Sequence, residues 1–168
     1  MSYKHPFTRH KTREVMIGNR IIGGNNPILV QSMTTPDTHF VDEVIKQIHA
    51  LEEAGCELIR VTVPKAEDAH ALGEIRKKIG IPLICDIHFD YKMALQAMDH
   101  PIDKIRINPG NIGSDQKVRE VVAAAKHHDI SIRIGVNAGS LEKDLQVKYG
   151  EPTGQALLES AMRHIDIL

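Results

Sequence analysis

The chain has 168 residues, enough for one domain with a real core. Its 21 Lys and Arg nearly balance its 22 Asp and Glu, so no global field points to nucleic acid or an acidic membrane surface. It has no run of about 18 apolar residues, so no spanning helix is expected, and the polar, basic stretch Met1 to Arg13 does not read as a secretory signal.

Glu14 to Ile17 and Arg20 to Ile22 flank Gly18-Asn19 and read as a small hairpin. Pro27 to Met33 reads as the first long strand. Thr35-Pro36-Asp37 then carries helix-start signals, with Thr at the cap and Pro in the first turn. Val41, Val44, Ile45, Ile48 and Leu51 make an apolar stripe that runs to Gly55. The unit repeats: strand Glu57 to Val63 with a helix over 66–79, then strand Pro82 to Ile87 with a helix over 91–98. Strand Ile102 to Ile107 leads through a Pro-Gly-Asn loop to a helix over 115–128 capped by Ser114. Strand Ile130 to Val136 leads through a loop, 137–152, to a last helix.

Strands alternating with helices predict parallel pairing through right-handed crossovers. Four of the five strands share one parity. Arg60 and Thr62, Asp86 and His88, Arg106 and Asn108, and Arg133 and Asn137 lie on one face of their strands; the residues between them are almost all aliphatic. Interior strands of a doubly wound sheet would be apolar on both parities. One apolar face, and one that turns polar toward the C-terminal end, predict a (β/α)8 TIM-type barrel with its site at that rim. A full barrel needs eight units and the sequence holds about five, so it reads as the first part of a longer protein.

Arg60, Arg106 and Arg133 converge on one lumen that offers a single acid, Asp86. Guanidinium forks suit phosphate oxygens and stay charged when desolvated. The excess positive charge predicts a diphosphate ligand; the bland alternative is an internal Arg–Asp network or arginines reaching out to solvent. Asp86-x-His88 places a carboxylate and an imidazole on one side of a strand, within reach of one ligand, as an acid–base pair; the alternative is a plain structural hydrogen bond. No third ligand lies at metal spacing, so no metal site is expected. Asn108-Pro109-Gly110-Asn111 and Asn137-Ala138-Gly139-Ser140 are turns whose amides suit an anion, though any tight strand-to-helix turn looks similar. Cys56 and Cys85 sit in or beside apolar strands and read as buried reduced thiols of a cytoplasmic protein.

Gln31-Ser32-Met33-Thr34, Arg60-Val61-Thr62-Val63-Pro64, Asp86-Ile87-His88-Phe89-Asp90, Arg106-Ile107-Asn108-Pro109-Gly110-Asn111 and Arg133-Ile134-Gly135-Val136-Asn137 together resemble the 4-hydroxy-3-methylbut-2-enyl diphosphate synthases of the non-mevalonate isoprenoid pathway. The likeness runs from about Lys11 to the last residue. It implies an N-terminal barrel that binds 2-C-methyl-D-erythritol 2,4-cyclodiphosphate. It also implies a C-terminal domain with a [4Fe-4S] cluster, which passes two electrons from flavodoxin or ferredoxin, and a homodimer. Under the resemblance Arg60, Arg106, Asn108, Arg133 and Asn137 bind substrate, and Asp86 and His88 sit at the reacting centre. The cluster domain and the last barrel strands have no counterpart here, and Cys56 and Cys85 do not match the cluster ligands, so the chain alone is expected to be inactive. Two other readings are a dihydropteroate synthase-like phosphate barrel and a non-catalytic fragment that self-assembles.

Overall fold

The computed structural model describes residues 10–168; most of the basic stretch read as lacking a signal, residues 1–9, lies outside them. Strands β1 (Val15–Ile17) and β2 (Arg20–Ile22) pair antiparallel around Gly18-Asn19, as expected of the hairpin. Next come β3 (Gln31–Met33), α1 (Val41–Glu53), β4 (Leu58–Thr62), α2 (Ala66–Lys78), β5 (Leu83–Ile87) and α3 (Tyr91–Met98). The rest is β6 (Lys104–Ile107), α4 (Pro109–Ile112), α5 (Asp115–His127), β7 (Ser131–Ile134), α6 (Lys143–Tyr149) and α7 (Gly154–Ile165).

Strands β3 to β7 form one parallel sheet whose spatial order is the chain order. A doubly wound sheet reverses its order at a switch point; this one does not. It is a barrel wall of five units, with β3 and β7 as open edges.

The aliphatic parity packs outward as predicted. Ile59, Val61, Cys85, Ile87, Ile105 and Ile107 join one core with Val44 and Ile48 of α1, Leu72 and Ile75 of α2, Met98 of α3 and Val118 and Val121 of α5. Each fully buried aliphatic side chain there contributes about 1.5–3 kcal/mol. On the opposite face Leu58 and Ile84 meet Ile17 of the hairpin in a second, small cluster. The hairpin therefore closes the N-terminal end of the lumen, and the Ser131 hydroxyl donates to the Met16 carbonyl at 2.6 Å to tie it to β7.

Three local expectations need correction. Helix α1 starts at Val41, with Phe40 at its cap and no side-chain capping bond, so Thr35-Pro36-Asp37 does not open it. Thr35 has another partner: its N–H donates to Gln47 Oε1 and its hydroxyl accepts from Gln47 Nε2, while the Thr38 hydroxyl just beyond donates to the Thr62 carbonyl. Ser114 does precede α5, but its side chain makes no capping bond. The loop over 137–152 holds a 3-10 turn and helix α6, whose Leu145 packs with Leu141 and with Ala156 of α7.

Candidate active site

Pairing register sorts the lumen residues into rows. Met33, Arg60, Ile84, Lys104 and Ser131 make one row, and Thr62, Asp86, Arg106 and Arg133 make the next toward the C-terminal rim. The parity argument therefore places all three arginines on the lumen face, but on two levels.

Asp86 is the hub. Its side chain is 2% exposed. Arg106 Nη1 donates to Asp86 Oδ1 at 2.9 Å, and Arg60 Nε lies 3.4 Å from Oδ2. His88 Nε2 lies 3.5 Å from the same Oδ2. Arg106 also donates through Nη2 to the Gly135 carbonyl at 3.1 Å, and Arg60 donates to Met33 Sδ. A buried carboxylate holding two guanidiniums fixes both forks in place. Two of the three arginines thus belong to the Arg–Asp network that the sequence left as an alternative. Arg133 does not: it is exposed and makes no ion pair among the described residues. The net lumen charge stays positive and is open to an anion.

Asn108 and Asn137 are joined by a residue that sequence reasoning treated only as part of a turn. Asn108 Nδ2 donates to Ser140 Oγ at 2.6 Å, and that hydroxyl lies 3.0 Å from Asn137 Oδ1. The loop approach is close enough that a Cβ on Gly110 would strike the Ser140 carbonyl oxygen. Several amides of the two turns are already used: Asn111 and Ile112 donate to the Asn108 carbonyl, and Gly139 to Asn137 Oδ1. These loops hold side chains in position rather than cradling an anion with those amides.

The far end of the second loop is pinned by Glu142. Its Oε1 accepts from Ser160 Oγ at 3.0 Å and lies 2.6 Å from His164 Nε2. Burial opposes the charge on Glu142, but bonds from His164, its own backbone and Ser160 together outweigh it and hold its pKa below 4.5. A depressed carboxylate stabilises the fold above its unfolded pKa, and that contribution is lost as pH falls from about 4.5 through the lowered value. Urea midpoints are therefore expected to fall less steeply with acid in Glu142→Gln than in the parent; identical slopes would remove Glu142 from the acid response.

A cleft of about 760 Å³ lies between α5, α6 and α7, but its Arg163 is tied to Asp144 and Glu159 and it lacks a converging set like that around Asp86. Both cysteines are buried and free, as expected. Besides Ser140, the sequence reading missed Met33, the Gly135 carbonyl and Lys104. The first two show only in the fold; Lys104 shares the parity of Arg106 and was legible.

A family model described as the GcpE TIM-barrel domain matches residues 12–168. The chain belongs to the GcpE family. A relative from Acinetobacter baumannii, named 4-hydroxy-3-methylbut-2-en-1-yl diphosphate synthase (flavodoxin), is 61% identical over 165 residues, which are 98% of this chain and 44% of that protein. One of the same name from Marinobacter nauticus is 56% identical over 168 residues, 100% of this chain and 45% of its own length. The chain thus spans less than half the length of these GcpE relatives. Membership in GcpE sets aside the dihydropteroate synthase-like reading.

Proposed function

We propose that this chain supplies the diphosphate-binding part of a reductase that opens 2-C-methyl-D-erythritol 2,4-cyclodiphosphate to 4-hydroxy-3-methylbut-2-enyl diphosphate. One observation carries the reading: arginines from β4, β6 and β7 of one parallel sheet face one lumen in which Asp86, already paired, is the single acid among the described residues. The names of the GcpE relatives agree with it.

In this reading Arg133 meets the incoming diphosphate first, because its guanidinium is free. Arg60 and Arg106 present donors from forks that Asp86 has already oriented, so little side-chain order is lost on binding. Asn108 and Asn137, held by Ser140, supply polar contacts at the rim. His88 donates a proton to oxygen that gains charge as the ring opens, and Asp86 sets the imidazole in place.

A [4Fe-4S] cluster does not fit the residues here. The Cys56 thiol donates to the Leu58 carbonyl, and burial, with Asp103 and Asp86 nearby, pushes the Cys85 thiol far above the ordinary cysteine value. Cluster ligation needs thiolates, and no group of three metal-ligating side chains exists among the described residues. We assign the cluster, its flavodoxin donor and the homodimer contacts to the length of the relatives that has no counterpart in this chain. Among the described residues no helix is long and apolar enough to cross a membrane, and the buried thiols suit a reducing cytoplasm.

Isothermal titration with the cyclic diphosphate tests the reading. Saturable heat that Arg60→Ala abolishes is the expected result. Saturation that survives in Arg60→Ala would take the arginine lumen out of ligand binding, and no heat from folded protein would show that five strands do not make the pocket.

A further inference from the structure

Lys104 is the first residue of β6 and lies in the row of Arg60, separated from it by Ile84. It is 8% exposed and makes no hydrogen bond or ion pair among the described residues. It borders a cavity of about 240 Å³ with Gln31 and Leu58. Its charged surroundings are one-sided. Arg106 and Arg133 stand one row above, and Arg60 is in its own row. Asp86 on β5 is already held by Arg60 and Arg106, and the hairpin beneath contributes Ile17 and Ile22 to the cavity. Burial, and next the charge of Arg133, pull the Lys104 amine below the ordinary lysine value.

A lysine kept for packing alone runs its stem along apolar surface and sets its head in water or on an acid. Lys104 has no acid partner and little water. Burying an ammonium without a counter-charge is unfavourable, so a residue left this way fits a site completed by a ligand. The missing component is negative, and the cations around it already suit phosphate oxygens. The rise from its row to that of Arg106 is about 6.6 Å over two strand residues, and its flexible four-carbon stem covers a similar length.

We propose that Lys104 is a fourth anion-binding residue of the lumen, reaching a phosphate-class ligand from the row of Arg60. The inference rests on the reading of the lumen as a diphosphate site and adds a residue that the arginine pattern does not contain. It also carries a signature that arginine cannot give. An anion favours the charged form of the amine, so binding shifts the proton equilibrium at Nζ toward uptake, with the proton drawn from the buffer.

The test is calorimetric titration with inorganic diphosphate at mildly alkaline pH, in buffers of different ionisation heat. Parent, Lys104→Met, Lys104→Arg and Arg60→Ala are compared, each shown by a melt to be folded. Losing a charge-assisted bond weakens binding roughly tenfold or more, which is the loss expected for Lys104→Met. Lys104→Arg is expected to bind like the parent but with less proton uptake; because the ligand's own protonation is common to both, the difference belongs to Lys104. Equal affinity and equal proton uptake in parent and Lys104→Met overturn the inference and leave the arginine reading standing. A loss in Lys104→Met with none in Arg60→Ala supports the inference and overturns the reading. No binding by the parent overturns both.

Discussion

Asp86→Asn is expected to destabilise the protein by about 3 kcal/mol, a large share of the roughly 5–15 kcal/mol that holds a typical domain together. The substitution keeps the shape of the side chain but removes its charge and turns one acceptor oxygen into a donor amide that faces other donors. Arg106 is 13% exposed and would then be left without its carboxylate. Arg60 is about a quarter exposed and recovers part of its loss from water, which keeps the figure at the lower end of the range for breaking a buried pair. The same change frees both guanidiniums for an anion. Added diphosphate is therefore expected to raise the urea midpoint of Asp86→Asn more than that of the parent. An unchanged midpoint without ligand would mean that the two arginines are solvated well enough not to need Asp86, and equal ligand shifts would mean that Asp86 does not compete with the anion.

Gly110→Ala comes next in size. Its Cβ would collide with the backbone carbonyl of Ser140, which has no rotamer to escape into. Overpacking of this kind costs about 1–3 kcal/mol. Separation of the two loops also breaks the bridge from Asn108 through Ser140 to Asn137. The expected result is a lower melting temperature together with weaker diphosphate binding. Gly154→Ala, where the new methyl meets nothing within 4 Å, is the matched control and is expected to melt at or above the parent temperature. If Gly110→Ala melts and binds like that control, the loop contact is softer than the geometry indicates.

The period-two pattern carried most of the fold because a sheet with helices on one side leaves a clear record in alternating residues. Ile105 and Ile107 had to be outside and Arg106 inside; no tertiary knowledge was needed. The start of α1 was not legible in the same way. Thr35 and Asp37 carry good capping chemistry, but the Thr35 backbone N–H is bonded to Gln47 and the helix waits until Val41. A local propensity lost to a tertiary partner. At the site, parity placed Arg60, Asp86, Arg106 and Arg133 together, yet it could not say which arginine stays free. That depended on register, which sets Asp86 beside Arg106 and sets Arg133 on an open edge. Ser140 was hidden for a related reason: a hydroxyl in a turn has too many local uses for its sequence position to reveal a partner 32 residues away.

Consecutive strand pairing also gives assembly a direction. Each strand from β4 onward finds its partner in the unit just before it, so every closure in the sheet spans one short helical connection. The tie from Ser131 to Met16 crosses 115 residues. Closing a loop of that length in an unstructured chain would cost about 4 kcal/mol of entropy. Once the five strands have zipped in turn, β7 already stands above the hairpin and most of that cost has been met in small steps. The strap across the floor is thus a late closure that locks the first and last strands into one cooperative unit.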